Sequence, residues 1–286
     1  MKKLIFGCGY LGSRVADAWL AKGEQVLAVT RSSARAKELA GRGIQPIVGD
    51  ITKSLDLSDA NGVNTVLFAV GLDRSSGKKI RDVYVDGLRN ALDRLPDSVT
   101  RFIYISSTGV YAQTDGEWVD EDSPCKPQRE GGRACLAAEE LLRSHAIRGR
   151  SIILRLAGIY GSGRLPKLQD VIAGKPIDSP ANGYLNLIHA DDAVSAVLSA
   201  EQLTDPPERL LVSDGRPVLR GEFYDELARL SQARVPRFVT SQDSPTTRPR
   251  ASTDKRISNK RMRERLGITL KYPSYREGLS ALVTPS

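Results

Sequence analysis

Short apolar runs alternate with helix-like segments through the first 160 residues of the chain. The apolar runs predict strands over Lys3–Phe6, Gln25–Thr30, Ile44–Val48, Asn64–Val70, Arg101–Ser106 and Ser151–Leu156. Apolar positions near the helical period predict helices over Leu11–Ala21, Ala34–Gly41, Gly77–Leu95 and Arg133–Ala146. Strands this apolar are typical of burial on both faces, so the pattern predicts an α/β fold with a doubly wound parallel sheet.

The pattern changes after Tyr160, where loop residues dominate and only Asp191–Gln202 again predicts a helix. Val235–Thr253 is rich in Pro, Ser and Thr and is predicted to be an exposed loop. We therefore predict a sheet domain over residues 1–160 plus about 186–203. A smaller substrate lobe, partly interleaved with it, is predicted over residues 161–185 and 204–286.

A glycine-rich loop joins the first predicted strand to the first predicted helix. Gly7, Gly9 and Gly12 follow the spacing G-x-G-x-x-G, with Tyr10 and Leu11 between the last two. The first glycine allows a tight turn, the second lets a pyrophosphate approach the backbone, and the third lets the helix pack closely. An ordinary glycine-rich turn is the alternative. Because strand, loop and helix occur in order, we predict a Rossmann-type dinucleotide site that includes all five residues.

The residues after the second predicted strand indicate which dinucleotide binds. An acidic residue there bonds the ribose 2′-hydroxyl of NAD, whereas a basic residue accommodates the 2′-phosphate of NADP. Arg31 follows the strand at once, Ser32 adds a hydroxyl, and Arg35 adds a second guanidinium. Since arginine makes charge-assisted hydrogen bonds to phosphate, we predict NADP(H) rather than NAD(H). Alternatively, Arg31 and Arg35 are only surface charges of the next helix.

Two further strand ends are assigned to the same site, because ligands of doubly wound sheets bind at the carboxyl ends of strands. Asp50 and Ile51 follow the third strand and are predicted to face the adenine. Ala69, Val70 and Gly71 end the fourth strand and are predicted on the ribose side.

The formal net charge of +8 over 286 residues raises the question of an anionic partner. Much of the excess lies late in the chain, at Arg234, Arg237, Arg248, Arg250, Lys255, Arg256, Lys260, Arg261, Arg263 and Arg265. A solvated basic face, a small anionic substrate and nucleic acid are the three interpretations. Without interleaved aromatic residues or a nucleic-acid motif, nucleic acid is the least favoured of them.

Other features of the composition narrow the class of protein. No apolar run approaches the ~20 residues of a membrane span, so we expect a cytoplasmic protein that does not bind membranes. The three cysteines lack C-x-x-C spacing and the two histidines, His145 and His189, lie far apart. We expect reduced thiols, no metal site, and histidines that belong to the surface or the core.

Several motifs together resemble those of extended short-chain dehydrogenases/reductases, the NAD-dependent epimerase/dehydratase family. They are Gly7–Gly12, Gly87–Asn90, Ile105–Tyr111, Leu154–Gly161, Leu187–Asp192 and Arg276–Leu279. The resemblance covers most of the chain. It implies an NAD(P)-dependent enzyme that often forms dimers, with Ser106 beside the cofactor and Ser107 as the active-site serine.

The chain departs from this family at its catalytic group, which comprises Ser, Tyr, Lys and Asn. Counting back from Glu139 puts Gly131 at the tyrosine position and Cys135 at the lysine position. The asparagine position is Tyr84, and only Ser107 remains. The loss of the Tyr-x-x-x-Lys pair resembles the atypical branch of the superfamily, which keeps the fold and the cofactor loop.

The remaining candidates for catalysis and substrate binding are two tyrosines, two hydroxyl side chains, an arginine and a histidine. Tyr84 is predicted to replace the missing proton donor and acceptor, with Ser107 and Thr108 as polar partners, or else to pack on the nicotinamide wall. Tyr111 is a second phenol, which is either catalytic or structural. Arg164 and His189 are the candidate substrate residues, and Arg164 is either an anion ligand or a surface charge.

Two functions fit these residues. The first is an oxidoreductase or epimerase, with NADP(H) favoured, that acts on a carbonyl, sugar or nucleotide-sugar substrate. The second is a catalytically weak or inactive dinucleotide-binding protein that senses redox state. The cofactor loop supports the first, and the missing Tyr/Lys pair supports the second.

Overall fold

The computed structural model of the chain describes residues 1–239 and 253–283. Most of the predicted loop Val235–Thr253 lies outside the described residues, and so do Arg248 and Arg250 of the basic group. The chain folds into two compact units, each built from three separate stretches of sequence.

Strands and helices alternate through the first half of the chain, and shorter elements follow. The strands are β1 Lys2–Phe6, β2 Gln25–Thr30, β3 Gln45–Val48, β4 Thr65–Phe68, β5 Arg101–Ser107, β6 Glu117–Val119, β7 Ser151–Leu156, β8 Gly158–Tyr160, β9 Ile177–Asp178, β10 Tyr184–Leu185, β11 Leu187–His189, β12 Arg209–Val212, β13 Val218–Leu219, β14 Phe238–Val239 and β15 Lys255–Ile257. The helices are α1 Tyr10–Ala21, α2 Ser33–Gly41, α3 Gly87–Leu92, α4 Glu130–Ser144, α5 Leu168–Ile172, α6 Ala190–Gln202, α7 Arg220–Leu230, α8 Lys260–Leu266 and α9 Tyr275–Leu282.

A seven-stranded sheet in the order β12-β7-β5-β4-β1-β2-β3 forms the centre of the fold. The pairs β1/β2, β1/β4, β2/β3 and β4/β5 are parallel, and Phe6 of β1 lies between Val29 and Phe68 of its two neighbours. Their carboxyl ends therefore lie at one edge of the sheet. The predicted α/β fold with a doubly wound parallel sheet is confirmed.

The first unit consists of Met1–Val110, Pro127–Arg155 and Val194–Leu210. Its core is the apolar surface of these strands, where the rings of Phe6 and Phe68 lie 5.7 Å apart. The buried strands explain why the apolar runs predicted them well.

A buried ionic network ties two of these strands to a helix. The Glu139 carboxylate on α4 accepts hydrogen bonds from the Ser106 hydroxyl at 2.6 Å and from Nε of Arg155 at 3.0 Å. Arg155 and Glu139 are nearly inaccessible to solvent. Since both oxygens of the carboxylate are paired, the two charges are tolerated inside the core.

The predicted helix Gly77–Leu95 begins later and is less regular than expected. Gly77 has φ +66° and ends a short 3-10 turn over Arg74–Ser76. A π-helical turn over Asp82–Asp86 then precedes α3. Turns of this type inside helices are common at functional sites.

The second unit consists of Tyr111–Lys126, Leu156–Ala193 and Leu211–Ser286. Its strands form the two-stranded pairs β6/β15, β8/β11, β9/β14 and β10/β13. The division differs from the predicted one, because Tyr111–Lys126 carries β6 and pairs with the late strand β15. Residues 186–193 also belong to this unit, since β11 pairs with β8. No helix within residues 1–239 and 253–283 is long and apolar enough to cross a membrane.

Candidate functional site

The glycine-rich loop at the end of β1 is shaped by two very close backbone contacts. Gly7 has φ +88°, and a Cβ there would lie 2.5 Å from the Ala69 carbonyl oxygen after β4. A Cβ on Gly12 would collide with the Gly7 carbonyl oxygen. Neither position can carry a side chain, so the turn and the start of α1 are held against the ends of β1 and β4.

Gly9 differs from both of its neighbours in the loop. A Cβ there would meet nothing within 4 Å, so the loop is open on this side. Gly9 is also the N-cap of α1, and no side chain caps this helix. Backbone N–H groups at a helix N-terminus attract anions. The loop therefore leaves room for an anion at the start of α1, and the assignment of Gly7, Gly9, Tyr10, Leu11 and Gly12 to a dinucleotide site stays a prediction.

The basic residues after β2 reach the same edge of the sheet. The Arg35 guanidinium donates to the Cys8 carbonyl oxygen at 3.2 Å, which brings it against the glycine loop. Arg31 is half-exposed and forms an ion pair with Asp73 at 2.9 Å. The Ser32 hydroxyl accepts the Arg35 N–H and caps α2. Both guanidinium groups thus have an acidic partner that the sequence did not predict, Asp73 for Arg31 and Glu38 for Arg35, and Arg35 also contacts the loop.

Asp50, after β3, also has an unpredicted partner. Its carboxylate lies 2.6 Å from the Lys78 ammonium and accepts the Thr52 hydroxyl at 2.8 Å. Burial opposes ionisation, but these hydrogen bonds prevail and lower the pKa of Asp50 to about 2. Asp50 is therefore an anion at any physiological pH.

The other residues predicted at this edge have different surroundings. The Ile51 side chain is buried against Gly87 of α3, where a Cβ would approach it to 2.7 Å. Ala69 and Val70 are half-buried and Gly71 is exposed at the end of β4. The Ser106 hydroxyl points into the core towards Glu139. The side chains of Ile51 and Ser106 therefore belong to the core, because packing of α3 and α4 uses them.

Tyr84 lies on the π-helical turn, and its hydroxyl oxygen accepts the Leu72 N–H at 3.4 Å. Burial raises the pKa of Tyr84, and this effect outweighs the hydrogen bond from the Leu72 N–H, which lowers it. Tyr84, predicted at the family's asparagine position, also lies near Cys135, predicted at its lysine position. At neutral pH Tyr84 remains protonated.

Neither Gly131 nor Cys135, the residues predicted at the family's tyrosine and lysine positions, can supply a base. Burial and the charge of Glu139 raise the pKa of Cys135 to about 12, so it remains a thiol. Gly131, near the start of α4, has no side chain, and an added Cβ would meet only Ile80 at 3.5 Å. The nearby Ser107 hydroxyl accepts the Gly109 N–H at 3.0 Å, and Thr108 is buried.

The remaining candidates belong to the second unit. Tyr111 is buried, and its hydroxyl donates to the Asp120 carbonyl oxygen at 2.7 Å, which is a structural contact. Arg164 is exposed in a turn whose backbone N–H bonds to Gly161. His189 is buried and its ring lies 3.8 Å from that of Tyr272, so it is a core histidine.

Part of the late basic group is used inside the second unit. Lys255 is buried and donates to the Tyr111 carbonyl oxygen at 3.0 Å. Arg256 lies 5.2 Å from the rings of both Trp118 and Tyr184. Arg261 pairs with Asp122. These cations stabilise the unit, which reduces the charge left for an external anion.

A buried carboxyl that the sequence did not single out lies in the same unit. Asp214 is buried and accepts the Arg216 N–H at 2.9 Å. Burial raises its pKa to about 7, and the charges of Asp192 and Glu277 act in the same direction. No group of three or more potential metal-binding side chains occurs in the described part of the chain.

The raised pKa of Asp214 predicts a pH-dependent stability. Between pH 3.8, its ordinary value, and about 7, the folded chain keeps a proton that the unfolded chain has released. The contribution of Asp214 to stability should therefore fall as pH rises through this window, by up to about 1.4 kcal/mol per pH unit. In urea unfolding, Asp214→Asn should gain stability relative to the native chain as pH rises through this window, whereas the exposed control Asp225→Asn should keep the native slope. Equal slopes in both variants would contradict the assignment.

Comparisons with known proteins agree with this geometry. The family model described as "NAD dependent epimerase/dehydratase family" matches residues 4–212. Protein YeeZ of Escherichia coli (strain K12) is 31% identical, over 96% of this chain and 97% of its own length. A sterol-4-alpha-carboxylate 3-dehydrogenase (decarboxylating) of Dictyostelium discoideum is 24% identical over 78% of this chain and 74% of its own length.

A solved structure shows the same similarity. A protein from Methylobacillus flagellatus, described as an NAD-dependent epimerase/dehydratase, superimposes with a TM-score of 0.79 at 30% identity. The match covers 98% of this chain and 97% of that one. The chain belongs to the NAD-dependent epimerase/dehydratase family of short-chain dehydrogenases/reductases.

Proposed function

We propose that this chain is an NADP(H)-preferring oxidoreductase that interconverts a carbonyl and an alcohol on a small sugar, nucleotide-sugar or other carbonyl substrate. One observation carries the proposal: Gly9 is open, while Gly7 and Gly12 on either side of it are closed by backbone contacts. This is the arrangement that a pyrophosphate needs, because it must reach the backbone N–H groups at the start of α1.

The preference for NADP(H) rests on the two guanidinium groups at the edge of the sheet. Arg31 follows β2, and Arg35 lies against the glycine loop. The substrate class is supported by family membership and by the sterol dehydrogenase relative, which is named for oxidation at carbon 3. The exposed Arg164 would suit a phosphorylated or otherwise anionic substrate.

The proposed proton transfer uses the phenol of Tyr84, which stays neutral at pH 7. A bound nicotinamide supplies or accepts the hydride. The Tyr84 oxygen accepts the Leu72 N–H, a contact that does not use the proton of the phenol. Since the raised pKa keeps this proton in place, Tyr84 can donate it to a carbonyl oxygen as that oxygen gains charge. We therefore propose that the reductive direction is the favoured one.

Substitution of the loop glycines tests cofactor binding. Gly9→Ala should weaken NADPH binding by about tenfold or more, because the methyl group occupies the approach of the pyrophosphate. It should leave the thermal unfolding temperature nearly unchanged, since nothing lies within 4 Å. NADPH affinity is measured by fluorescence titration. Gly41→Ala, also in open space, is the matched control and should bind normally. Normal binding by Gly9→Ala would contradict the site.

Substitution of Tyr84 tests the proton donor. Tyr84→Phe should slow the oxidation of bound NADPH by reactive ketones and quinones by about 10²-fold or more, with little change in NADPH affinity. The loss of reduced-nicotinamide absorbance in stopped flow measures the rate. Tyr111→Phe is the control, because it also loses one phenol hydroxyl but from a structural contact. An unchanged rate in Tyr84→Phe would remove Tyr84 from the mechanism.

A second candidate function is favoured by the state of the missing pair. Gly131 has no side chain and Cys135 is a buried thiol, so neither supports the family's usual route of proton transfer at the positions predicted for its tyrosine and lysine. A dinucleotide-binding protein that reports redox state needs no such route. Tight NADPH binding without oxidation by any tested carbonyl compound would support this function over the first.

A further inference from the structure

The segment that leaves β4 is attached by ion pairs to two other strand ends. Asp73 contacts Arg31 after β2 at 2.9 Å, and Lys78 contacts Asp50 after β3 at 2.6 Å. Both contacts are made within the first unit, from a segment of only a few residues. The segment therefore joins the ends of β4, β2 and β3.

The order of the strands fixes where this segment runs. Because β1 lies between β4 and β2 in the sheet, a segment from β4 to β2 must pass the carboxyl end of β1. The glycine loop Gly7–Gly12 begins there. The two ion pairs thus lie at the edge to which the adenosine half of a dinucleotide is assigned.

The Asp73 carboxylate is held rigidly by its own turn. One oxygen accepts the Ser75 N–H at 3.0 Å and the Ser75 hydroxyl at 2.6 Å, and the other accepts from Arg31. The hydrogen bond from Ser75, with the one from Arg31, lowers the pKa of Asp73. Asp73 is therefore a fixed anion. Arg31 has a long side chain and is as exposed as Asp73, but Ser75 anchors only Asp73.

We infer that Asp73 sets the preference of this chain between NADP(H) and NAD(H) by occupying Arg31. The carboxylate takes the position at the guanidinium that a ribose 2′-phosphate would need. NADP(H) must share Arg31 with Asp73 or displace it, whereas NAD(H) displaces nothing. The inference rests on the proposed function, and it makes Asp73 a specificity-determining residue that weakens the advantage of the 2′-phosphate.

The test compares NADPH and NADH affinities in the full-length protein by fluorescence titration. Asp73→Asn keeps an oxygen to accept from Ser75 but loses the charge, and it should tighten NADPH binding about two- to fivefold without changing NADH binding. Asp56→Asn is the matched control, because Asp56 accepts the Ser58 N–H at 2.9 Å in the same way. Its NADPH and NADH affinities should equal those of the native chain.

The same substitution made in the Arg31→Ala variant tests whether the effect depends on the contact with Arg31. In Arg31→Ala, the further change Asp73→Asn should no longer tighten NADPH binding, because the guanidinium for which the two anions compete is gone. Equal effects of Asp73→Asn on NADPH and NADH, no effect on either, or the full effect without Arg31 would each overturn the inference. If the native chain binds neither NADPH nor NADH, the proposed function is overturned, and the inference with it.

Discussion

The functional edge of this protein depends on close backbone contacts that only glycine, which has no Cβ atom, can make. Gly12 lies against the Gly7 carbonyl, and Gly7 lies against the Ala69 carbonyl. These contacts fix the start of α1 relative to β1 and β4. They also leave Gly9 as the one open position of the three, where an anion can reach the N-terminus of the helix. A larger residue at Gly7 or Gly12 would separate the elements, and the positions of Arg31, Arg35 and Asp50 would change with them.

Charges around this edge are mostly balanced within the protein. Arg31 pairs with Asp73, and Lys78 pairs with Asp50. Fewer basic side chains are therefore available to ligands than the net charge suggests. In the second unit, Lys255 also donates its hydrogen bond to a backbone carbonyl oxygen. Tyr84 and Cys135, which we predict at the family's catalytic positions, both have raised pKa values and are neutral at pH 7. This combination favours donation of a proton over its removal.

The sequence predicted the features that depend on neighbouring residues, namely the buried strands and the glycine loop. The bounds of β2 and β7 match the predicted strands, because both are apolar and buried. The glycine spacing predicted the loop, since its backbone geometry requires glycine at positions 7 and 12. The family was identified from motifs that span much of the chain.

Features set by distant residues could not be read from the sequence. The pairs Arg31–Asp73 and Lys78–Asp50 join residues far apart in sequence. The inward orientation of Ser106 depends on Glu139 and Arg155. The strand β12 was missed because it is a short apolar run between polar and proline residues. The placement of Tyr111–Lys126 in the second unit follows from pairing with β15, for which the sequence holds no local signal.

Hydrogen–deuterium exchange with and without saturating NADPH tests the central claim, that the glycine loop and its neighbouring strand ends form the dinucleotide site. We expect NADPH to slow exchange in peptides that cover residues 7–13 and 69–79. Peptides from α7 in the second unit, which has no part in this site, should exchange at the same rate in both samples. Binding of NADPH with unchanged exchange at residues 7–13 would contradict the account.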